Sequence, residues 1–121
     1  MQAFLAAHDK KDLEAEEKLV DWDDVTDHSR EHFAREELQS GLGVKITSAK
    51  IEDIPGLSPN FVARYNILPE KFFVAVYHDP RGVITMKYPI GKKEGRYYFA
   101  MFGITPEAMQ RNVKRLSKNN K

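Results

Sequence analysis

The spacing of hydrophobic residues changes along the chain, from a helical repeat in the amino-terminal third to a strand repeat in the carboxy-terminal half. Between Phe72 and Phe102, three apolar, aromatic and β-branched runs are separated by two turn signals, at Asp79–Gly82 and at Gly91–Gly95. Runs of this composition and spacing are typical of an antiparallel meander. We therefore predict strands over residues 72–78, 83–88 and 96–102. The last run is apolar on both faces, which predicts a place in the middle of the sheet.

Two weaker strand signals precede the meander. Residues 44–54 alternate imperfectly between apolar and polar side chains, which predicts a half-buried first strand. The next segment, Pro55–Asn60, contains two prolines and a glycine and is predicted to be a loop, because proline lacks the N–H that a strand ladder needs. A short strand is predicted beyond it, over Phe61–Asn66.

Three helices are predicted before the first strand. The first covers Gln2–His8, and the second begins after Asp12, whose carboxylate suits an N-cap, and runs to about Val20. A third helix is capped by Thr26 or Asp27 and ends near the glycines at positions 41 and 43, since glycine commonly follows a helix end.

A final helix is predicted after Thr105, because a capping hydroxyl is followed by Pro106 at the first helical position and by Glu107 near the positive end of the helix dipole. Its apolar residues fall on one stripe. We expect this stripe to dock on the rest of the molecule: Met109, Val113 and Leu116.

Helices followed by a twisted antiparallel sheet predict an α+β fold in which the N-terminal helices pack across a curved antiparallel sheet, with a short C-terminal helix. An apolar sheet face has to be shielded from water, and the predicted helices can shield it. The 121 residues are enough for one hydrophobic core, so we predict a single domain over residues 1–121. The hydrophobic content of 41% and charged content of 31% are ordinary for a globular domain.

Composition narrows the classes of function. No cysteine is present, which excludes disulfides, thiolate metal sites and a cysteine nucleophile. No apolar run reaches the roughly 20 residues of a membrane-spanning helix, so no membrane span is expected. Because Met1 leads directly into a helical pattern, we expect a cytoplasmic protein, or an exported one whose N-terminal signal has been removed.

Charge is distributed unevenly although the net charge is only +1. Residues 1–42 hold 5 basic and 12 acidic side chains, whereas residues 43–121 hold 14 basic and 6 acidic ones. A basic half can indicate a nucleic-acid partner, but these cations are spread over several elements and no recognised basic motif accompanies them. Nucleic-acid binding is therefore not expected, and some of the cations are available to face the acidic helices.

His28-Ser29-Arg30-Glu31-His32 matches a zinc-hydrolase signature, in which two histidines bind the metal and the glutamate activates water. On a helical wheel, however, Phe33 and Leu38 share one side while His28 and His32 lie opposite and face solvent. A catalytic zinc also needs a third ligand and a pocket that excludes water. We therefore predict no metal site here. The acidic segment Asp21–Asp27 lacks the spacing of an EF-hand loop and is interpreted as a solvated helix start.

Aromatic residues supply the candidate ligand site. Tyrosines at sheet positions can line a pocket with an apolar ring and a hydroxyl, or they can simply pack beneath helices. His78 and Asp79 form a candidate acid/base pair at a strand end, although Asp79 is more simply read as the first residue of a turn. Trp22 is expected to fold back onto the core. The candidate ligand-binding residues are Trp22, Tyr65, Tyr77, His78, Tyr88 and Tyr98.

Several catalytic signatures are absent from the chain: a phosphate-binding glycine loop, a G-x-S-x-G elbow and a dinucleotide-binding glycine motif. We therefore assign no catalytic residue and expect no cofactor.

The order of elements resembles the nuclear transport factor two-like superfamily, a cystatin-like α+β cone in which N-terminal helices lie across a strongly curved sheet. The resemblance rests on Phe4–Ala7 followed by Lys11-Asp12-Leu13, on the third helix with Phe33 and Leu38, and on Gly95–Phe99 at the end of the sheet. The superfamily includes isomerases, dehydratases, transport adaptors and small secreted domains. Its enzymes often place an aspartate, histidine or tyrosine inside the cone, and no such residue is carried over to this chain.

Two hypotheses of function follow. The first is a non-catalytic binding or interaction domain for a small molecule or a protein partner, with a homodimer through the aromatic sheet face as a further expectation. The alternative is a small cofactor-free enzyme of the isomerase or dehydratase type. It would use His78, Asp79 or a tyrosine as acid or base in the cone cavity.

Overall fold

Four antiparallel strands form one open sheet in the order β1-β2-β3-β4. The computed structural model describes residues 2–39, 41, 44–54, 56 and 58–119. The strands are β1 (Lys45–Asp53), β2 (Lys71–Asp79), β3 (Gly82–Lys93) and β4 (Arg96–Phe99). The helices are α1 (Gln2–Asp9), α2 (Leu13–Glu17), α3 (Asp27–His32), α4 (Pro59–Ala63) and α5 (Pro106–Asn119), and α3 continues as a π-helical segment over Phe33–Gln39. The predicted α+β class is confirmed.

Local chemistry explains where the amino-terminal helices begin. The Asp12 carboxylate accepts a hydrogen bond from Ala15 N–H at 3.1 Å, and the Thr26 hydroxyl accepts one from Ser29 N–H at 3.2 Å. Both are N-caps of the predicted kind. The second helix was predicted to run to about Val20. Helix α2 ends earlier, at Glu17, because Leu19–Asp21 pair with β4.

Both turns of the meander are tight. The Asp79 carboxylate accepts hydrogen bonds from the N–H groups of Arg81 (2.6 Å) and Gly82 (3.1 Å), which fixes the β2–β3 turn. The β3–β4 turn consists of Glu94 and Gly95, both with positive φ, as in a type I′ hairpin turn. The longer Gly91–Gly95 turn predicted from the sequence is wrong, since residues 91–93 pair with β4.

Gly91 lies in β3 for a steric reason. A Cβ at this position would come within 2.3 Å of the Leu68 carbonyl oxygen. Glycine here therefore allows the segment before β2 to pass directly over β3.

Strand β4 lies at the edge of the sheet, so its predicted central position is wrong. Its outer side is covered by the segment after α2: Phe99 N–H donates to Leu19 C=O at 2.8 Å, and Asp21 N–H donates to Phe99 C=O at 3.1 Å. This short parallel pairing buries Phe99 without a neighbouring strand. The strand also stops at Phe99, earlier than the predicted Phe102.

The predicted strand over Phe61–Asn66 is wrong, because residues 59–63 form helix α4. The Ser58 hydroxyl accepts a hydrogen bond from Phe61 N–H at 3.2 Å, and proline follows as the first helical residue. This N-cap and the proline after it favour a helix. The alternation of apolar and polar residues that would favour a short strand is weak in this segment.

Helix α5 begins as predicted, with the Thr105 hydroxyl accepting from Ala108 N–H at 3.2 Å, but it docks through another face. Ala108 and Asn112 are buried, and the Asn112 amide donates to the carbonyls of Ala63 (3.1 Å) and Tyr65 (3.0 Å). Of the predicted docking stripe, Met109 is 39% and Val113 50% exposed. The Leu116 side chain lies outside the described part of the structure. A small residue and an amide therefore make the contact that an apolar stripe was expected to make.

The core lies between the amino-terminal helices and one face of the sheet. The rings of Phe4, Phe73 and Phe99 meet edge to face, with centroids 5.2–5.9 Å apart. Around them the buried cluster continues with Val20, Leu38, Ala75, Tyr77, Ile90 and Met101. Among the described residues, no helix is long and apolar enough to cross a lipid bilayer.

Candidate functional site

A cavity of about 430 Å³ lies between the α3–π helix on one side and β3 with the segment after β4 on the other. Its lining is mostly apolar or aromatic, with a few polar and ionisable side chains. The lining residues are His28, Ser29, His32, Phe33, Glu37, Tyr65, Met86, Lys87, Tyr88, Pro89, Phe99, Ala100, Met101 and Phe102. A concave, largely apolar site with few polar groups is the usual form of a small-molecule site.

The shortness of β4 creates the cavity. β4 pairs only with Ile90–Lys93, so the preceding part of β3 has no strand beside it at this edge within the described residues. After Phe99 the chain runs past the end of the sheet, and Ala100 N–H donates to Pro89 C=O at 2.9 Å. The space where a longer β4 would lie is left open under the α3–π helix.

Asn66 holds the cavity wall in place. Its side-chain carbonyl accepts from Met101 N–H at 2.9 Å, and its backbone N–H donates to Met101 C=O at 3.0 Å. Its amide nitrogen donates to the carbonyls of Asp21 (2.6 Å) and Asp23 (3.0 Å). One side chain therefore joins the acidic loop, the segment before β2 and the wall formed by residues 100–102.

Tyr88 is the main polar residue of the aromatic wall. Its hydroxyl lies 3.3 Å from the Tyr77 hydroxyl, which is buried behind it. Burial raises the pKa of Tyr88 well above its usual range, and burial is also the main cause of the raised pKa of Tyr77. Both phenols therefore stay protonated. A pair of hydroxyls uses only one hydrogen for its mutual bond, so the second remains available as a donor.

The ionisable side chains of the lining are Glu37, Lys87, His28 and His32. Glu37, on the π-helical segment, is half-buried in the cavity lining, and its negative charge contributes to the raised pKa values of Tyr77 and Tyr88. His28 and His32 are exposed at the rim, with stacked rings 6.4 Å apart. In the described part of the chain, no group of three or more His, Cys, Asp or Glu side chains is arranged to hold a metal ion.

The structure brings together some of the predicted ligand-binding residues and leaves others apart. Tyr65 and Tyr88 line the cavity, and Tyr77 contacts it through Tyr88. Trp22 lies in a separate depression with Arg30, whose guanidinium is 5.1 Å from the indole centroid. Its indole N–H donates to Glu17 C=O at 2.9 Å.

His78 and Tyr98 also lie outside the cavity. His78 is exposed at the end of β2, where strand alternation places it on the opposite face from Tyr77. Tyr98 is opposite Gly91 in the β3–β4 ladder and alternates with the inward-facing Phe99. The Asp79 carboxylate accepts from two backbone N–H groups of its own turn. His78 and Asp79, two of the acid/base candidates of the enzyme hypothesis, thus lie outside the cavity, whereas the tyrosines that it also allowed include Tyr65 and Tyr88 of the lining.

Residues missed by sequence reasoning form most of the site. The helical wheel correctly placed His28 and His32 on the exposed side of α3, but it gave no sign that this side borders a cavity. Met86 and Phe102 were read only as strand residues. The signal available in the sequence was Gly103, directly after Phe102, because glycine often marks a bend of the chain, and its φ is indeed positive.

A buried ionisable pair lies behind Tyr77. His8 Nε2 is 2.5 Å from Val44 C=O, a carbonyl that can only accept, so this nitrogen carries a hydrogen. Its Nδ1 lies 3.5 Å from the Glu16 carboxylate, which is 1% exposed and has one oxygen without a hydrogen-bond partner among the described residues. Burial raises the pKa of Glu16, with the charge of His8 acting in the opposite direction.

The chain matches no protein-family model, and no curated protein or solved structure matches it either. The site therefore has to be interpreted from its own geometry. An apolar cavity with a tyrosine pair, a carboxylate and two rim histidines suits recognition of a small molecule by shape and a few hydrogen bonds.

Proposed function

We propose that the chain is a non-catalytic binding domain for a small, mostly apolar ligand that occupies the cavity beside Tyr88. The observation that carries this proposal is the cavity itself: about 430 Å³ of space, walled by aromatic and methionine side chains, in a molecule of 121 residues. Such a volume falls within the usual range for small-molecule sites, from about 300 to 1,000 Å³.

The polar groups of the cavity restrict the ligand's chemistry. The Tyr77–Tyr88 pair offers a hydrogen-bond donor to an acceptor such as a carbonyl, ether or hydroxyl oxygen. The half-buried Glu37 carboxylate disfavours a ligand that carries its own carboxylate, because like charges repel. The Lys87 ammonium does not offset this repulsion, because it is already paired with the Glu52 carboxylate at 3.6 Å. We therefore propose a neutral, preferably aromatic ligand with one hydrogen-bonding oxygen.

A matched pair of probes tests this proposal by thermal shift. Naphthol and naphthoate share an aromatic ring system and differ in charge, so naphthol is expected to raise the melting temperature and naphthoate to leave it unchanged. Binding to the folded state alone raises stability with ligand concentration, which makes the shift a direct measure of binding.

Two tryptophan substitutions locate the binding. Met86→Trp places a larger side chain in the cavity and is expected to abolish the naphthol shift, whereas Met109→Trp, on the exposed side of α5, retains it. The proposal fails if the two variants respond alike, or if wild-type protein is stabilised by naphthoate as strongly as by naphthol.

A further inference from the structure

Two histidines on one side of helix α3 play no part in the proposed binding of an aromatic ligand. His28 and His32 are four residues apart, so their Cβ atoms are about 5–6 Å from each other on the same side of the helix. Both residues are exposed, and their rings are stacked, with centroids 6.4 Å apart and planes inclined by 24°. The two imidazoles therefore lie side by side at the rim of the cavity that they help to line.

The nitrogens of both imidazoles are unused. Within the described part of the chain, neither His28 nor His32 makes a hydrogen bond or an ion pair, and their one ring contact is with each other. His8 differs, because its two nitrogens are directed at Val44 C=O and at the Glu16 carboxylate. A neutral imidazole has one nitrogen with a hydrogen and one with a free electron pair. The pair at the rim therefore offers two nitrogen electron pairs to a single acceptor.

Divalent transition metals of the nickel, copper and zinc group bind imidazole nitrogens, and two histidines four residues apart on a helix recur in zinc sites. A zinc–nitrogen bond is about 2.0–2.1 Å long, so two nitrogens on one tetrahedral metal are roughly 3.3 Å apart. The second side-chain torsion of histidine turns easily, and both rings are exposed to solvent. A small rotation of each ring is enough to direct both electron pairs at one ion.

The charge of the α3–π helix favours a cation. Residues 27–39 contain four acidic and two basic side chains, a surplus of two negative charges. Both basic side chains have partners: Arg35 pairs with Glu36 at 3.3 Å, and the Arg30 guanidinium lies 5.1 Å from the centroid of the Trp22 indole. The partial charge of about +0.5 at the N-terminus of a helix opposes a cation, but it is smaller than this surplus.

We propose that His28 and His32 chelate one divalent transition-metal ion, of the nickel, copper and zinc group, at the rim of the cavity. A zinc hydrolase needs a third protein ligand and a pocket that excludes water, but reversible binding of an ion needs neither. Water fills the other coordination positions, since within the described residues no third His, Cys, Asp or Glu side chain converges on the pair. The ion lies on the solvent side of the rim, so the space beside Tyr88 stays free for the aromatic ligand.

Calorimetric titration of tag-free, metal-stripped protein with Ni²⁺ tests this site. Wild-type protein is expected to bind one ion per chain, whereas Mg²⁺, which prefers oxygen ligands, is expected not to bind. His28→Ala and His32→Ala are each expected to weaken Ni²⁺ binding more than about tenfold, because even the loss of a second-shell partner costs roughly 10- to 100-fold. Both variants are expected to fold, since the two positions are exposed and alanine is a strong helix former.

Two further variants separate a chelate from single histidines. His78→Ala is the matched control, because His78 is also exposed but has no histidine one helical turn away. It is expected to bind Ni²⁺ as wild type does. The double variant His32→Ala/Arg30→His keeps the number of histidines but places them two residues apart, where helix side chains do not face each other. It is expected to bind as weakly as His32→Ala.

Three results would overturn the proposal. Wild-type protein that takes up no Ni²⁺ would show that the histidine pair does not chelate. Binding that survives both single alanine substitutions, or that His78→Ala weakens equally, would place the ion elsewhere. Recovery of wild-type affinity in the double variant would show that two histidines suffice without the four-residue spacing.

Discussion

At the scale of single residues, Asn66 shows how one amide can organise a site. Its side chain bonds two carbonyls of the acidic loop and one N–H of the cavity wall, in a segment whose backbone makes no sheet ladder. Nothing in the sequence marks this asparagine, because its three partners are remote along the chain.

Replacement of Asn66 by alanine is expected to destabilise the protein by about 2 to 3 kcal/mol, because it removes the part-buried partners of the Asp21 carbonyl and the Met101 N–H and an exposed bond to the Asp23 carbonyl. Urea unfolding measures this loss. Gln110→Ala, which removes an exposed amide of α5, is the control and is expected to change stability by less than about 0.5 kcal/mol. Equal effects of the two substitutions would show that Asn66 is not a structural link.

A second prediction at the residue scale concerns the pH dependence of stability and rests on Glu16. Its pKa in the folded state is raised by burial above the ordinary value of 4.5, so the stability associated with its protonated form is present below 4.5 and is lost as pH rises through the folded pKa. Glu16→Gln keeps a donor for His8 Nδ1 and carries no charge. Its stability relative to wild type is expected to be greater at pH 8 than at pH 4.5.

Urea unfolding of both proteins at the two pH values gives the comparison. Glu14→Gln is the control, because Glu14 is exposed and its side chain is 82% accessible. Parallel stability curves for wild type and Glu16→Gln would contradict a raised pKa for Glu16.

At the scale of elements, the positions of helices and strands could be predicted from the sequence more accurately than the packing of these elements against one another. The caps at Asp12, Thr26 and Thr105 and the turn at Asp79 are local chemistry, and all four are present in the structure. The edge position of β4 depends on its pairing with Leu19–Asp21, which is remote in sequence. Local patterns carry no information on such contacts.

The face through which helix α5 docks can be tested by placing lysine at either of two adjacent positions, 108 and 109. Ala108→Lys places a charge in the contact with α4 and is expected to cost at least about 2 kcal/mol. Met109→Lys lies on the exposed side, and lysine and methionine have similar helix propensity, so its cost is expected to be below about 0.5 kcal/mol. Chemical unfolding of both variants gives the answer, and the reverse order would restore the docking stripe predicted from the sequence.

At the scale of the whole molecule, the uneven charge of the sequence proves to be partly internal. Lys93 binds Asp21 at 3.3 Å and also Asp23, and Arg111 binds Asp24 at 3.0 Å. The basic carboxy-terminal half therefore neutralises part of the acidic loop. The resemblance to the nuclear transport factor two-like superfamily stays a prediction, since it rests on element order alone.

Only a small part of the candidate site could be predicted from composition and strand pattern, namely Tyr65 and Tyr88. Tyr65, Tyr88 and Tyr98 were all selected as tyrosines at predicted sheet positions. Tyr65 and Tyr88 line the cavity, whereas strand alternation turns Tyr98 to the other face of the sheet. His28 and His32 could not be found, because a helical wheel gives the side of a helix and not what lies across from it. A cavity depends on which residues lie close together in space, and local sequence patterns do not give this information.

The central claim is that a neutral aromatic ligand occupies the cavity beside Tyr88. A titration of ¹⁵N-labelled protein with naphthol, followed by amide chemical shifts, tests it most directly. The account predicts saturable shifts that cluster at Phe33, Met86 and Tyr88, with no change at His78. Shifts that cluster around Trp22 or on α5, or a spectrum that naphthol leaves unchanged, would contradict it.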